Sequence, residues 1–265
     1  MAANISHPAF SQPKDNHVPI WRYMDFVKYV AMLSSGSLYF SRADKLGDPF
    51  EGSLTIKEYQ AIKKRAEEAE SAGTLPKFWR GKYFEVLMHA WRSSPKQNYA
   101  LCWHMNSGES EAMWKIYIAS NLGVAIRSNY QTLVDALPST YEPKEYRGPF
   151  VGKINYIDYE KETFENMNIF YSILHKRLSF EHERECRAII WKCGNHKGPD
   201  PLPLTVLENN SAGILIKAPL NDLIQKVVVS PNAPSWFIEV VKNTSEKFGY
   251  NFNITSSEQS LQPYL

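Results

Sequence analysis

Three glutamates and an arginine stand two residues apart in the run "SFEHERECRAIIW", residues 179–191, just before the sequence turns apolar. They are Glu181, Glu183, Glu185 and Arg187. On a β-strand, residues two apart share a face and lie about 7 Å apart along it. If the strand starts early, the run predicts a row of carboxylates that leads from the edge of a sheet towards a buried arginine.

Two interpretations of this row are open. Buried carboxylates are costly unless they are paired or used in chemistry. The simpler interpretation is an ion pair between Glu185 and Arg187 beside solvated glutamates, because charged side chains are common on protein surfaces. Asp48 and Glu51 in "DPFE", together with Lys176 one helical turn ahead of the run, favour a functional site instead.

The composition is typical of a globular chain with one large domain or two small ones, since 43% of its 265 residues are hydrophobic and the formal net charge is +2. Basic residues form no run typical of a nucleic-acid arm, although local patches leave nucleic-acid binding open. The three cysteines lack CxxC spacing, which favours a reducing compartment. With no signal-peptide or membrane-helix pattern, we expect a cytoplasmic protein without a membrane partner.

Hydrophobic periodicity predicts helices and strands along most of the chain. Strands are expected over residues 18–23, 37–43, 98–105, 122–128, 150–159, 183–191, 213–218, 224–231 and 251–255. Helices are expected over residues 25–35, 55–73, 75–92, 106–121, 129–137, 161–180 and 235–248. The pattern predicts an α+β fold: one domain over 18–265 with a mixed, mostly antiparallel sheet, a helical insertion at about 55–95 and a flexible arm at 1–17.

Three segments carry a family resemblance: "GSLYFSRADKLGDPFEGS", "CWHMNSGESEAMWKIYIASNLGVAI" and "KRLSFEHERECRAI". In this order they resemble the bacterial family known as domain of unknown function 2971, over roughly residues 20–255. The family brings no settled activity with it. His104 departs from the pattern, which often has Ser two residues after the cysteine. The matching positions are Tyr39 to Ser41, Asp48 to Glu51, Cys102, Met113, Trp114, Tyr117, Gly123, Lys176, Glu183, Glu185 and Arg187.

The order of elements also resembles that of ADP-ribosyltransferases, which act on NAD. Arg22 matches the cation of the first strand, Tyr39 and Ser41 match the aromatic and hydroxyl residues of the second, and Glu183 or Glu185 matches the late acid. Cleavage of the nicotinamide–ribose bond gives the ribose oxocarbenium character, which a carboxylate stabilises. The resemblance implies that Glu185 is the essential acid and that Glu183 assists it.

The other predicted site residues have supporting roles in this hypothesis. Arg187 and Lys176 orient the acids or hold phosphate, while Arg22 and Tyr39 cradle NAD. NAD is then a substrate rather than a resident cofactor, and no metal is required. The family context makes a phage-defence or toxin role an expectation, and the oligomeric state stays open. Further predicted substrate contacts are Asp48, Glu51, Trp114 and Tyr117.

A metal-dependent phosphodiesterase or nuclease is a second hypothesis. Asp48, Glu51, Glu183 and Glu185 could hold Mg²⁺ while Lys176 polarises a phosphate. The commonest nuclease pattern has its lysine after the paired acid on a strand, whereas Lys176 precedes the glutamates here. We therefore rank this hypothesis second.

A non-enzymatic binding module is the third hypothesis. Aromatic residues such as Trp114 and Tyr117 could line a pocket for a ligand or a partner. Aromatic stripes at helical spacing are more often part of a core. The sequence has neither a P-loop nor a GxSxG motif that would indicate another enzyme class.

Overall fold

The computed structural model describes residues 3–141, 145–164, 168, 170–193 and 211–260. The strands are β1 (Pro19–Asp25), β2 (Ser37–Arg42), β3 (Asn98–Met105), β4 (Gly123–Asn129), β5 (Tyr146–Lys153), β6 (Asn155–Ile157), β7 (His175–Arg177), β8 (Glu185–Lys192), β9 (Gly213–Lys217), β10 (Lys226–Val229) and β11 (Ile254–Ser256). The helices are α1 (Phe26–Ser35), α2 (Ile56–Ser71), α3 (Tyr83–Gln97), α4 (Glu111–Tyr117), α5 (Tyr130–Ala136), α6 (Tyr171–Leu174), α7 (Leu220–Leu223) and α8 (Phe237–Lys247). None of these described helices combines the length and apolar composition needed to cross a membrane.

Nine of the strands form one sheet, in the order β11-β10-β4-β1-β3-β2-β9, with β8 and β5 added at the other edge of β3. Only the β10–β11 pair within it is parallel. The predicted α+β class with a mixed, mostly antiparallel sheet is therefore confirmed. The expected helical insertion corresponds to α2 and α3, which lie between the paired strands β2 and β3.

Two strands share one edge of β3. The start of β1 pairs with His104 and Met105, whereas the end of β2 pairs with Tyr99 and Ala100. Neither strand is registered against residues 101–103 on this edge in the described part of the chain. A gap therefore opens between β1 and β2 in the middle of the sheet.

Side chains alternate between the two faces of the sheet, as the pleat requires. On the first face, Leu101 and Trp103 of β3 enter the main core with α1, α5 and α8. On the second face, Ala100 of β3 and Ile189 of β8 pack with α3 and α6. The site residues of β3 and β8 have the parity of Ala100 and Ile189, so they lie on the second face.

Local signals explain the first helix. The Asp25 carboxylate accepts a hydrogen bond from the backbone N–H of Lys28 at 2.8 Å and caps the N-terminus of α1. Gly36 follows the last helical residue with φ = 55°, a left-handed conformation that glycine adopts without strain. These two residues bound the helix that connects β1 to β2.

The predicted helix over 161–180 is wrong. In its described part only α6 is α-helical, and it is followed by β7 and by a 3₁₀ turn over Leu178–Glu183. The reason is tertiary: β7 pairs in parallel with β6, and this pairing outweighs the helical periodicity of the segment. Lys176 therefore lies on a short strand rather than on a helix.

Four other expectations need correction. The helix predicted from residue 75 begins only at Tyr83, and the helix predicted from residue 106 begins only at Glu111, after its cap Ser110. The strand predicted over 150–159 is divided between β5 and β6. The described part of the predicted flexible arm packs on the protein instead: Phe10 is buried, and Gln12 donates to the carbonyl of Val151 at 2.9 Å.

Candidate functional site

A cleft of about 780 Å³ opens at the gap between β1 and β2. Residues from α1 line one part of it, and the turn before β8 lines another. The floor comes from Ala100, Cys102 and His104 of β3, which share one face of that strand. Six residues predicted from the sequence line this one cleft: Arg22, Tyr39, Ser41, Tyr117, Glu183 and Glu185.

A chain of alternating charges joins the cleft to the protein interior. Arg187 is 1% exposed and binds Glu51 through both terminal nitrogens, while its Nε donates to Oε1 of Glu185 at 2.6 Å. Lys176 then bridges Glu185, at 3.3 Å, and Glu183. Three carboxylates share two cations, so the chain carries one excess negative charge, and it ends at Glu183 in the cleft.

The charges fix the ionisation of Glu185. Burial raises the pKa of this carboxyl, but the charges of Arg187 and Lys176 outweigh burial and lower the pKa to about 2. The Cys102 thiol also hydrogen-bonds this carboxylate. Glu185 is therefore an anion at neutral pH whose oxygens are already occupied by protein donors.

Glu183 differs from Glu185 in its position and in having one free carboxylate oxygen. The two glutamates were predicted on one strand, but β8 begins at Glu185, and Glu183 lies on the 3₁₀ turn at the cleft. Its Oε2 accepts from Lys176, and its Oε1 has no hydrogen-bond partner among the described residues. Burial raises its pKa, and Lys176 offsets only part of that effect. Glu181, expected on the same row, lines a separate groove.

Arg22 supplies a cation at the cleft wall. One terminal nitrogen donates to the carbonyl of Tyr39 at 3.3 Å. No carboxylate lies within ion-pair distance of Arg22 in the described part of the chain. Burial lowers the pKa of its guanidinium to about 10, which still leaves it charged at neutral pH. A half-buried arginine without a carboxylate is suited to hold an anionic ligand.

Two tyrosines are available to a ligand at the cleft. Tyr39 on β2 is 44% exposed and Tyr117 at the end of α4 is 48% exposed. Trp114, also predicted as a contact, is buried outside the cleft lining, and its indole N–H donates to Glu109 at 3.0 Å. The Trp114 ring packs edge-on against the Tyr23 ring, with 4.9 Å between the ring centroids. Trp114 therefore packs α4 against β1 instead of lining the cleft.

Asp48 and Glu51 are not part of the cleft lining either. Asp48 accepts from Arg177 at 2.9 Å, and the Arg177 guanidinium lies over the Phe50 ring. Glu51 is linked to the cleft residues through its ion pair with Arg187. The "DPFE" segment therefore supports the chain of alternating charges at its buried end, away from the cleft.

Three further polar residues of the cleft lining, Lys45, Cys102 and His104, were not among the site residues predicted from the sequence. Their alternation along β3 could have placed Cys102 and His104 on the face of Glu185, because His104 is paired with Glu185 in the register. Burial and the charge of Glu185 raise the pKa of the Cys102 thiol, so it is a poor nucleophile.

The described residues include no group of three histidine, cysteine or acidic side chains arranged to hold a metal ion. Comparison of the chain with family models, curated proteins and solved structures found no match. The resemblances to domain of unknown function 2971 and to ADP-ribosyltransferases therefore stay predictions that rest on the motifs alone.

Proposed function

We propose that the cleft binds NAD or a closely related nucleotide and cleaves its N-glycosidic bond, in the manner of an ADP-ribosyltransferase. One observation carries the proposal: Arg22 and Glu183 line the same cleft as two exposed tyrosines, and among the described residues Arg22 has no carboxylate partner and one Glu183 oxygen has no donor. Phosphate, ribose and aromatic rings are the groups that such side chains bind.

The chemistry assigns separate roles to the two glutamates. When the bond between C1′ of the ribose and the nicotinamide nitrogen breaks, its electron pair leaves with nicotinamide, which becomes neutral. The ribose then carries the positive charge. Glu183 accepts a hydrogen bond from a ribose hydroxyl and stabilises this charge, and an acceptor or water adds to C1′ and loses a proton. Glu185 fixes Lys176, which holds Glu183 in place.

The opposite part of the cleft fits the rest of the nucleotide. Arg22 binds the pyrophosphate through charge-assisted hydrogen bonds, and Lys45 adds a second positive charge to the lining. The rings of Tyr39 and Tyr117 stack on the aromatic bases. Met24 and Met32 supply apolar contact surface beside them.

The metal-dependent hypothesis is less favoured by the side-chain contacts. A magnesium site needs carboxylate oxygens that are free to coordinate the ion. Asp48 is bound by Arg177, and Glu51 and Glu185 are both bound by Arg187. Of the four predicted carboxylates, only Glu183, at Oε1, and Asp48, at Oδ2, have an oxygen without a protein donor in the described part of the chain, and Asp48 lies outside the cleft lining.

The test is nicotinamide release from NAD by the purified protein, with and without EDTA, beside the Glu183→Gln variant. The proposal expects release that persists in EDTA and disappears in the variant. Release that EDTA abolishes would mean that a divalent ion takes part in the cleavage and would reject the metal-free mechanism. A rise in melting temperature with NAD but no release would support the binding module and would reject the proposed cleavage.

A further inference from the structure

His104 makes a contact with the acidic turn that fixes its protonation state. The side chain is 6% exposed and lies on the cleft floor. Its Nδ1 lies 2.6 Å from the carbonyl oxygen of Glu183. A carbonyl oxygen only accepts hydrogen bonds, so Nδ1 must carry the proton, and Nε2 must hold the lone pair in neutral imidazole.

The Nε2 atom makes protonation of this imidazole unfavourable. It is buried and has no hydrogen-bond partner among the described residues. A second ring proton would place an unsatisfied N–H at this buried position. The ionisable groups around the ring are Glu183, Arg184 and His182 of the turn and Tyr23 of β1, whose ring packs edge-on at 6.3 Å. The charges of Arg184 and His182 also oppose protonation, after the larger effect of burial.

The turn that carries Glu183 is fixed by the ion pair of Glu183 with Lys176, by a hydrogen bond from Arg184 to Asn106 at 3.2 Å and by a few main-chain contacts. The backbone N–H of Met105 donates to the carbonyl of Arg184 at 2.9 Å, and the Tyr156 hydroxyl accepts from the N–H of Glu185 at 2.8 Å. Between these contacts Arg184 has φ = 40°, a conformation that a side-chain-bearing residue rarely adopts. The His104 contact is the one side-chain bond to the main chain of Glu183 in the described part of the protein.

We infer that His104 is a positioning residue: its Nδ1–H holds the Glu183 carbonyl and thereby sets the place of the Glu183 carboxylate in the cleft. The inference rests on the proposed function, because it assigns His104 a part in nucleotide cleavage. His104 acts through Glu183 and contributes to the rate of cleavage rather than to nucleotide affinity. A histidine that only fills space in the cleft floor would not affect the rate of cleavage more than the nucleotide affinity.

Replacement of His104 by asparagine and by glutamine distinguishes a positioning role from a space-filling role. The side-chain amide of Asn places an N–H near the position of Nδ1, whereas Gln reaches towards the position of Nε2. We expect His104→Asn to keep kcat for NAD cleavage within about threefold, and His104→Gln and His104→Leu to lower it about 10- to 100-fold, since a small displacement of a reacting group has this effect. KM should change less than about twofold in all three. Equal losses in Asn, Gln and Leu, or losses confined to KM, would overturn the inference.

A spectroscopic measurement tests the geometry without any turnover. In ¹⁵N-labelled protein, the ring nitrogens of His104, assigned with the His104→Asn variant, should show the neutral tautomer with the proton on Nδ1. The tautomer with the proton on Nε2 would reject the contact whatever the activity. Wild-type protein that releases no nicotinamide would reject the proposed function, whereas an active wild type whose variants lack the Asn and Gln difference would reject only the role of His104.

Discussion

Arg22 on β1 and Glu183 on the 3₁₀ turn before β8 line one cleft. Strands β1 and β8 lie on opposite sides of β3, so these two strands are about 10 Å apart. Arg22 has no carboxylate partner in the described part of the chain, and Glu183 has a free oxygen there. The cleft therefore presents a cation and a carboxylate at separate points, as a ligand with phosphate and ribose groups requires.

Glu183→Gln should separate activity from stability. Gln has the size of Glu but cannot carry the negative charge that stabilises a cationic ribose. We expect the rate of nicotinamide release to fall about 100-fold. The melting temperature should change little, because burial opposes the charge on Glu183 and Lys176 keeps Glu185 as an ion-pair partner. Release measured by chromatography and a thermal melt test both expectations.

The matched control is Glu181→Gln. Glu181 lies on the same 3₁₀ turn but lines the neighbouring groove instead of the cleft. Its replacement should leave nicotinamide release unchanged. Equal losses from Glu181→Gln and Glu183→Gln would mean that any change in the turn disturbs the site, and the role assigned to the Glu183 carboxylate would be lost.

Glu185→Gln should act mainly on folding. Arg187 is 1% exposed and depends on Glu185 and Glu51 for its compensating charge. Removal of one partner from a buried charge network costs about 3–5 kcal/mol of the free energy of unfolding. Urea denaturation measures this loss. Glu111→Gln, which removes an exposed partner of Lys115, is the control and should not change the unfolding midpoint measurably. A midpoint in Glu185→Gln equal to that of the control would contradict the prediction.

Several elements could be predicted because their signals are local. The Asp25 cap and Gly36 bound α1, and the alternation over residues 98–105 matches β3 at both ends. The order of strand, helix and strand that was predicted over 224–231, 235–248 and 251–255 matches β10, α8 and β11. In each case the residues that define the element are neighbours in the sequence, so spacing alone was sufficient.

The cleft itself depends on long-range pairing that spacing does not encode. The gap exists because β1 and β2 contact opposite ends of one edge of β3. Glu183 was expected on a strand with Glu185, but the pairing of β7 with β6 ends in a turn that carries it into the cleft. The sequence predicted a row that contains both glutamates, yet only the fold distinguishes Glu185, with its occupied oxygens, from Glu183.

Arg22→Gln should weaken nucleotide binding without loss of the fold. The side chain has one hydrogen bond, at 3.3 Å to Tyr39, so its removal disturbs few contacts. A charge-assisted hydrogen bond to phosphate contributes about 1.5–3 kcal/mol, which corresponds to a rise of about 10- to 100-fold in Kd. Calorimetric titration with ADP-ribose measures this change.

Lys247→Gln provides a control for the loss of one positive charge. Lys247 is exposed on α8 and is not part of the cleft lining. ADP-ribose affinity should stay within about twofold of the wild type in this variant, since distant surface charges are screened by salt. Equal weakening by Arg22→Gln and Lys247→Gln would assign the effect to net charge rather than to a phosphate contact.

Tyr39 should contribute through its ring rather than through its hydroxyl. Stacking of a base on an aromatic side chain contributes about 1–3 kcal/mol, so Tyr39→Ala should raise the Kd for ADP-ribose at least about fivefold. Tyr39→Phe keeps the ring and should bind as the wild type does. Weak binding in both variants would instead assign the contribution to the hydroxyl group.

The environment of His104 predicts the direction of its titration. Burial lowers the pKa of this imidazole below its ordinary value of 6.5, and the positive charges of Arg184 and His182 act in the same direction. In the unfolded chain the imidazole binds its proton near the ordinary value. The folded protein therefore binds fewer protons than the unfolded chain between the two pKa values, so His104 makes unfolding easier as the pH falls.

The contribution of His104 to the free energy of unfolding should therefore be fully present above about pH 6.5. It should be lost as the pH falls through the lower pKa of the folded protein. An NMR titration of the ring gives the folded pKa, and urea denaturation from pH 7.5 to 5 gives the stability. The His104→Asn variant has no titrating ring, so its stability should decline less over this range than that of the wild type. A folded pKa above 6.5 would reverse the sign, because the protonated ring would then be the form that the fold stabilises. Such a value would require an acceptor at Nε2 and would contradict the buried, unpartnered nitrogen on which the positioning role depends.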